Sequence, residues 1–140
     1  MTSINTASSH DLNEINALIH DCSFDINAIE VEKDVFKLKI AVDKGGTIIK
    51  RKFLIFKQFE IKAIEYVLNI YDVKSYDIVD PCKIDIYCFN KIIFDSEKCS
   101  FSILCAEPIN ITVNVKCFKV SLSVTGKIVQ TKRKWKISID

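Results

Sequence analysis

The stretch "HDCSFD", His20 to Asp25, sets one of the chain's two histidines beside a cysteine and between two aspartates. Those are the residue types of a metal centre, or of a thiol nucleophile with its base. Spacing argues against both. His10 and His20 are ten residues apart, about 15 Å along a helix, so one metal cannot hold both unless the helix breaks between them. A Cys–His pair needs the base within hydrogen-bond reach of the sulfur, and His20 and Cys22 diverge at i, i+2 on a helix. At about 100° per residue, the apolar stripe of that helix centres near Ile15 and His20 points roughly 140° away from it. His20 is therefore expected at the solvent face of a helix C-terminus, Cys22 toward the core, and Asp21 or Asp25 at the exit into the first strand.

Other chemistry is thinly represented. Six cysteines at 22, 82, 88, 99, 105 and 117 include no C-x-x-C pair, so neither a zinc ribbon nor a redox dithiol is expected, and they read as thiols in a reducing cytoplasm. Acid pairs such as Asp77/Asp80 and Asp85/Asp95 have the residue types of a glycosidase, but carboxylates are common at turns and strand faces. No G-x-G-x-x-G, P-loop, G-x-S-x-G or H-E-x-x-H occurs. The expectation is a protein that is not an enzyme, with no catalytic, cofactor-binding or metal-binding residue and no cofactor.

The basic clusters "KRK" (50–52) and "KRKWK" (132–136) could meet phosphate, with Trp135 stacking a base. Lysines also protect sheet edges from aggregation, and Trp135 shares parity with Ile137 and Ile139, which points it inward. With 20 Lys and Arg against 18 Asp and Glu, a net charge of +2, nucleic acid is not the expected partner. The expected interaction surface is His20 with Lys132, Arg133, Lys134 and Lys136.

The elements that must position these residues follow from periodicity. A chain of 140 residues, 49% hydrophobic and with only 3 Gly and 2 Pro, suits one ordered domain. Residues 1–9 are polar and expected to fray, leaving 10–140 as the domain. Asp11 and Glu14 have capping-box spacing, and Leu12, Ile15, Leu18, Ile19 and Cys22 recur with helical period, so a helix is expected over 10–21. From Ile29 the period becomes two: "EKD" (32–34) turns one strand back on Phe36–Val42, and "DKGG" (43–46) starts the next turn. Residues 56–73 fit a helical stripe and a strand alternation, and their β-branched and aromatic content favours strand.

Later segments alternate more plainly. In "CKIDIYC" (82–88) the apolar residues are even, in "CSFSILC" (99–105) odd. In "INITVNVKC" (109–117) they are odd again, until the phase flips at Phe118, as it would at a bulge or where a strand crosses between sheets. Sequential strands without βαβ alternation imply a mainly β fold: an antiparallel sandwich or partly open barrel of about eight to ten strands with one N-terminal helix. No basic and apolar leader opens the chain, and apolar runs such as "FLIF" are too short to span a bilayer, so a soluble cytoplasmic protein with no membrane partner is expected.

One segment, "LIHDCSFDINAIEVEKDVFKLKI" (18–40), resembles the opening of small β-rich bacterial proteins of uncharacterised function, some grouped with polymorphic-toxin immunity proteins: a helix ending in His-Asp, a short apolar turn, then a strand pair. The resemblance implies a non-enzymatic, bacterial, cytoplasmic protein that works by binding another protein, and it transfers no catalytic residue. The leading expectation is accordingly a protein-interaction module, in which a strand left open at a sheet edge could add to a partner or to a second copy. The alternative is a carrier whose inward Ile, Phe and Cys side chains line a cavity for a small apolar ligand. A third reading is a weak nucleic-acid binder acting through the C-terminal basic segment.

Overall fold

A computed structural model describes the backbone of residues 3–6, 12–43, 47–53 and 56–137, and the side chains of 12–43 and 62–129. In chain order the elements are β1 (Ser3–Thr6), α1 (Leu12–Ile19), β2 (Ser23–Asp25), β3 (Glu30–Glu32), β4 (Val35–Val42), β5 (Thr47–Phe53), β6 (Phe56–Ile70), β7 (Val73–Val79), β8 (Ile86–Asp95), β9 (Ser100–Cys105), β10 (Asn110–Val115) and β11 (Val120–Ile137), with a 3₁₀ turn at Ile26–Ala28. The mainly β class with one N-terminal helix is as expected. Every strand pairing is antiparallel, and one path runs β1-β11-β6-β4-β2-β8-β9-β10-β7, with β3 beside β4 and β5 beside β6. The path does not close into a barrel: β1 and β7 remain its ends. Among the described residues, no helix is long and apolar enough to cross a membrane.

Alternation explains how this sheet folds over on itself. In β4, Phe36, Leu38, Ile40 and Val42 are buried while Val35, Lys37, Lys39 and Ala41 are only partly covered, so one face is apolar throughout. It packs with Leu68 and Ile70 of β6, Phe101 and Ile103 of β9, Ile111, Val113 and Val115 of β10, and Leu12, Ile15 and Ile19 of α1 in one cluster. Each large side chain buried this way contributes roughly 1.5–3 kcal/mol.

The turn residues come from the sequence in an uncommon way. Lys33 and Asp34 both take positive φ, 51° and 62°, which is the geometry of a two-residue hairpin whose twist matches its strands. "EKD" is thus the predicted hairpin, joining β3 to β4. Residues 56–70 are strand, as the β-branched content favoured. The phase flip at Phe118 marks a crossing between the two halves of the sheet: β10 pairs β7 and β9, β11 pairs β6 and β1, and residues 116–119 join them.

Four expectations are corrected. The helix spans 12–19 within the expected 10–21, because Asp21 turns left-handed (φ 64°) and the Cys22 N–H closes on the Ile19 carbonyl at 3.1 Å; His10, and Asp11 of the expected capping box, lie outside the described residues. Ser3–Thr6, within the segment expected to fray, pair with Val120–Ser123 of β11, whose open backbone edge supplies the hydrogen bonds that polar side chains do not. In "CKIDIYC" the burial is inverted: Cys82, Ile84 and Ile86 are exposed and Tyr87 is buried. Positive φ at Lys83 and Asp85 keeps the strand from starting before Ile86, and a register shift between Phe89 and Lys91 then brings Ile92 inward with Phe89. Cys117, expected inward, is exposed because the chain has left β10 by then.

Candidate functional site

The joint that holds "HDCSFD" is built by α1 against β8. β2 covers the edge of β8 only over Ile86–Cys88. Past it, the Asp21 N–H donates to the Phe89 carbonyl and the Phe89 N–H to the Cys22 carbonyl, each at 2.8 Å. His20 Nδ1 donates to the Asn90 carbonyl at 2.8 Å, and Asn16 accepts the Ile92 N–H at 2.8 Å while its Nδ2 donates to the Ile92 carbonyl at 3.0 Å. The helix end thereby continues the ladder that β2 leaves short, with side chains standing in for a strand backbone. Asn16, one helical turn before His20, was not singled out from sequence. The signal is an amide at i−4 from the histidine, on the same helical side.

This geometry assigns the reactive-looking groups. His20 is exposed, its Nε2 lies 3.4 Å from Asp21 Oδ2, and the Cys22 thiol approaches the backbone carbonyls of Leu18 (4.0 Å) and His20 (3.7 Å). Neither ring nitrogen is aimed at the sulfur, so the pair has no nucleophile–base geometry. Asp25 caps the 3₁₀ turn by accepting the Asn27 N–H at 2.8 Å. Among the described residues, no group of three or more His, Cys, Asp or Glu could hold a metal ion.

None of the six cysteines is in a disulfide. Burial, with Glu107 and Cys88 nearby, pushes the Cys105 thiol up to about 12, and burial likewise raises Cys88. A hydrogen bond from Sγ to Asp72 Oδ2 at 3.2 Å raises Cys117. Burial and a bond to Asp80 raise the Tyr87 hydroxyl. All four favour the neutral form in the folded state, so stability from them is complete below the unfolded pKa and falls as pH climbs toward the folded one. For Cys105 the window opens at its ordinary value of 9.0 and closes at about 12. The urea midpoint of the wild type is expected to fall from pH 9 to 11, and less steeply in Cys105→Ala; equal slopes would contradict the assignment.

Two open surfaces stand out among the described residues. On the outer face of β2, β4, β6, β8 and β11 a groove of about 390 Å³ is lined by Ser23, Asp25, Lys39, Glu65, Ile86 and Val129, among others. The second is the free edge of β7. Its first residue is already engaged, the Val73 N–H donating to Asp34 O at 2.9 Å, and the register shift opposite Asn114 and Val115 falls at Lys74. Among the described residues, the strand from Ser75 to Val79 pairs β10 on one side only. Tyr76 (48% exposed) and Val79 (52%) lie along it, with Tyr76 resting edge-on against Phe36 at 5.8 Å.

The predicted surface residues do not form one site. Lys132, Arg133, Lys134 and Lys136 stand opposite Ile61, Glu60, Phe59 and Lys57 of β6; their side chains, and that of Trp135, lie outside the described residues. His20 belongs to the edge of β8, with three strands (β2, β4 and β6) between it and β11 along the sheet path. No protein-family model, curated protein or solved structure matches the chain.

Proposed function

We propose that this chain is a non-enzymatic protein-interaction module of the immunity type, working in a bacterial cytoplasm where its six cysteines stay reduced, and that its partner adds a strand to β7. The observation that carries this is the bare stretch Ser75–Val79. Exposed edges are normally blunted by Lys, Pro, bulges or a covering loop. Here the bulge and Lys74 guard only the start, and Pro81 follows the end. Among the described residues, the five between keep one row of backbone groups unpaired, enough for main-chain pairing to supply affinity while Tyr76 and Val79 supply selectivity. The alternative of an interior apolar ligand has less support. Leu38, Leu68, Phe89, Phe101, Ile103 and Val113 are each 0% exposed, whereas a cavity of ligand size would expose its lining.

The test is capture from the native host with the wild type and with Tyr76→Lys/Val79→Lys. The proposal expects a stoichiometric partner or self-association in the wild type, lost in the variant while circular dichroism is unchanged. Recovery of neither, or retention by the variant, would contradict it.

A further inference from the structure

We propose that β5, the first half of β6 and the second half of β11 form a basic arm that binds single-stranded nucleic acid. This is a second surface, independent of the β7 edge. The arm begins where β4 leaves β6 at Ile64, beyond which β5 takes its place beside β6 over Phe56–Ile61. On the other side β11 follows β6 through two register shifts, between Val124 and Ile128 and between Ile128 and Gln130, next to Gly126 in the left-handed region (φ 80°).

Strand register collects charge that is scattered in the sequence. Residues 47–53, 56–62 and 128–137 hold nine of the chain's 20 Lys and Arg and one of its 18 Asp and Glu. The arm is thus formally +8 and the remaining residues −6, although the whole is only +2. Lys52, Lys57 and Lys136 share one rung across all three strands. Like charges set directly opposite destabilise a sheet, and a polyanion laid on the arm would relieve that repulsion and release counterions. Successive residues of a strand take opposite faces, so the neighbouring rung of Arg51, Gln58 and Trp135 belongs to the other face of the arm, where Arg133, two residues from Trp135, shares its parity and sets a cation beside the aromatic as base-stacking surfaces do.

Single strands fit better than duplex. Three strands place the outer backbones about 10 Å apart before side chains are added, wider than the two-stranded ribbon that a major groove of about 12 Å admits. A sheet face instead offers unpaired bases a stacking platform. The charge balance also explains why the linear sequence understates this surface: the acidic remainder cancels the arm in the total.

The test uses the full chain and a fluorescein-labelled 20-mer of mixed single-stranded DNA, followed by anisotropy between 50 and 200 mM NaCl. Binding is expected to weaken steeply with salt. Lys132→Ser/Arg133→Ser/Lys134→Ser is expected to reduce the slope of log affinity against log salt by about 2, from roughly 0.7 per phosphate contact. Emission of the single Trp is expected to be quenched by the unlabelled strand, and Trp135→Ala to lose about tenfold in affinity at fixed salt with an unchanged slope. Because the wild-type salt slope and quenching need no variant, a misfolded variant would not decide the outcome. The proposal is overturned by no binding at 50 mM NaCl or by a slope the triple variant leaves intact. Equal affinity for the duplex, for polyglutamate or for phosphatidylserine vesicles would overturn it as well.

Discussion

Phe101→Ala is expected to lower the unfolding free energy by about 3–5 kcal/mol, the range for truncating a large buried aromatic. Phe101 is fully buried in β9, and its ring lies 4.8 Å from that of Phe94 and 5.2 Å from that of Phe118, which is itself 4.9 Å from Phe94. Phe94 and Phe101 belong to adjacent strands β8 and β9, whereas Phe118 sits in the connection that carries the chain from β10 to β11. The three rings therefore pin that connection onto the β8–β9 half, and truncation removes both buried area and two tilted ring contacts worth about 0.5–1.5 kcal/mol each beyond it. Urea titration with an unchanged m-value is the check. A loss near that of an ordinary Ile→Val change would show that the rings do not pack as described.

Asn16→Ala is expected to cost about 2–3 kcal/mol, more than its partial exposure suggests. Its amide satisfies the N–H and the C=O of Ile92 together, and Ile92 is 0% exposed. Removing the amide leaves two backbone groups of a half-covered strand edge without partners, each costing roughly 1–3 kcal/mol when water cannot replace the bond fully. His20→Ala, by contrast, removes one bond at an exposed position and is expected to cost under about 1 kcal/mol. Amide exchange at Ile92 separates the two, since it should accelerate at least tenfold in Asn16→Ala and little in His20→Ala. Equal effects of the two substitutions would contradict the helix acting as a surrogate strand through Asn16.

Much of the fold was legible where one face of a strand is buried and the other is not. β4 and β10 alternate cleanly, so their parity and burial follow directly from residue type. The crossing at Phe118 was legible too, because a change of partner sheet must flip the apolar phase. The misreading of "CKIDIYC" has a local cause: Ile84 and Ile86 are apolar yet exposed, and the left-handed residues Lys83 and Asp85 that delay the strand are of types that do not announce positive φ as glycine does. β1 was not legible because Ser3–Thr6 gain their order from an edge of β11 more than a hundred residues away.

The candidate surfaces were legible only in part. The basic clusters were visible as runs, but that Lys52, Lys57 and Lys136 share a rung depends on registers set by distant segments. The open edge of β7 is a property of topology, since "VKSYDIV" reads as any other half-exposed strand until its neighbours are known. His20 drew attention through its chemistry, while the residue that carries more of the joint, Asn16, has no reactive group to mark it.

Amide hydrogen exchange over Ser75–Val79, in the free chain and in the complex captured from the host, tests the central claim most directly. An open edge predicts that amides of this stretch without a bond to β10 exchange rapidly in the free protein, and slow by at least tenfold when the partner strand pairs with them. Uniformly slow exchange in the free chain, or a complex that protects other segments and leaves Ser75–Val79 unchanged, would contradict it.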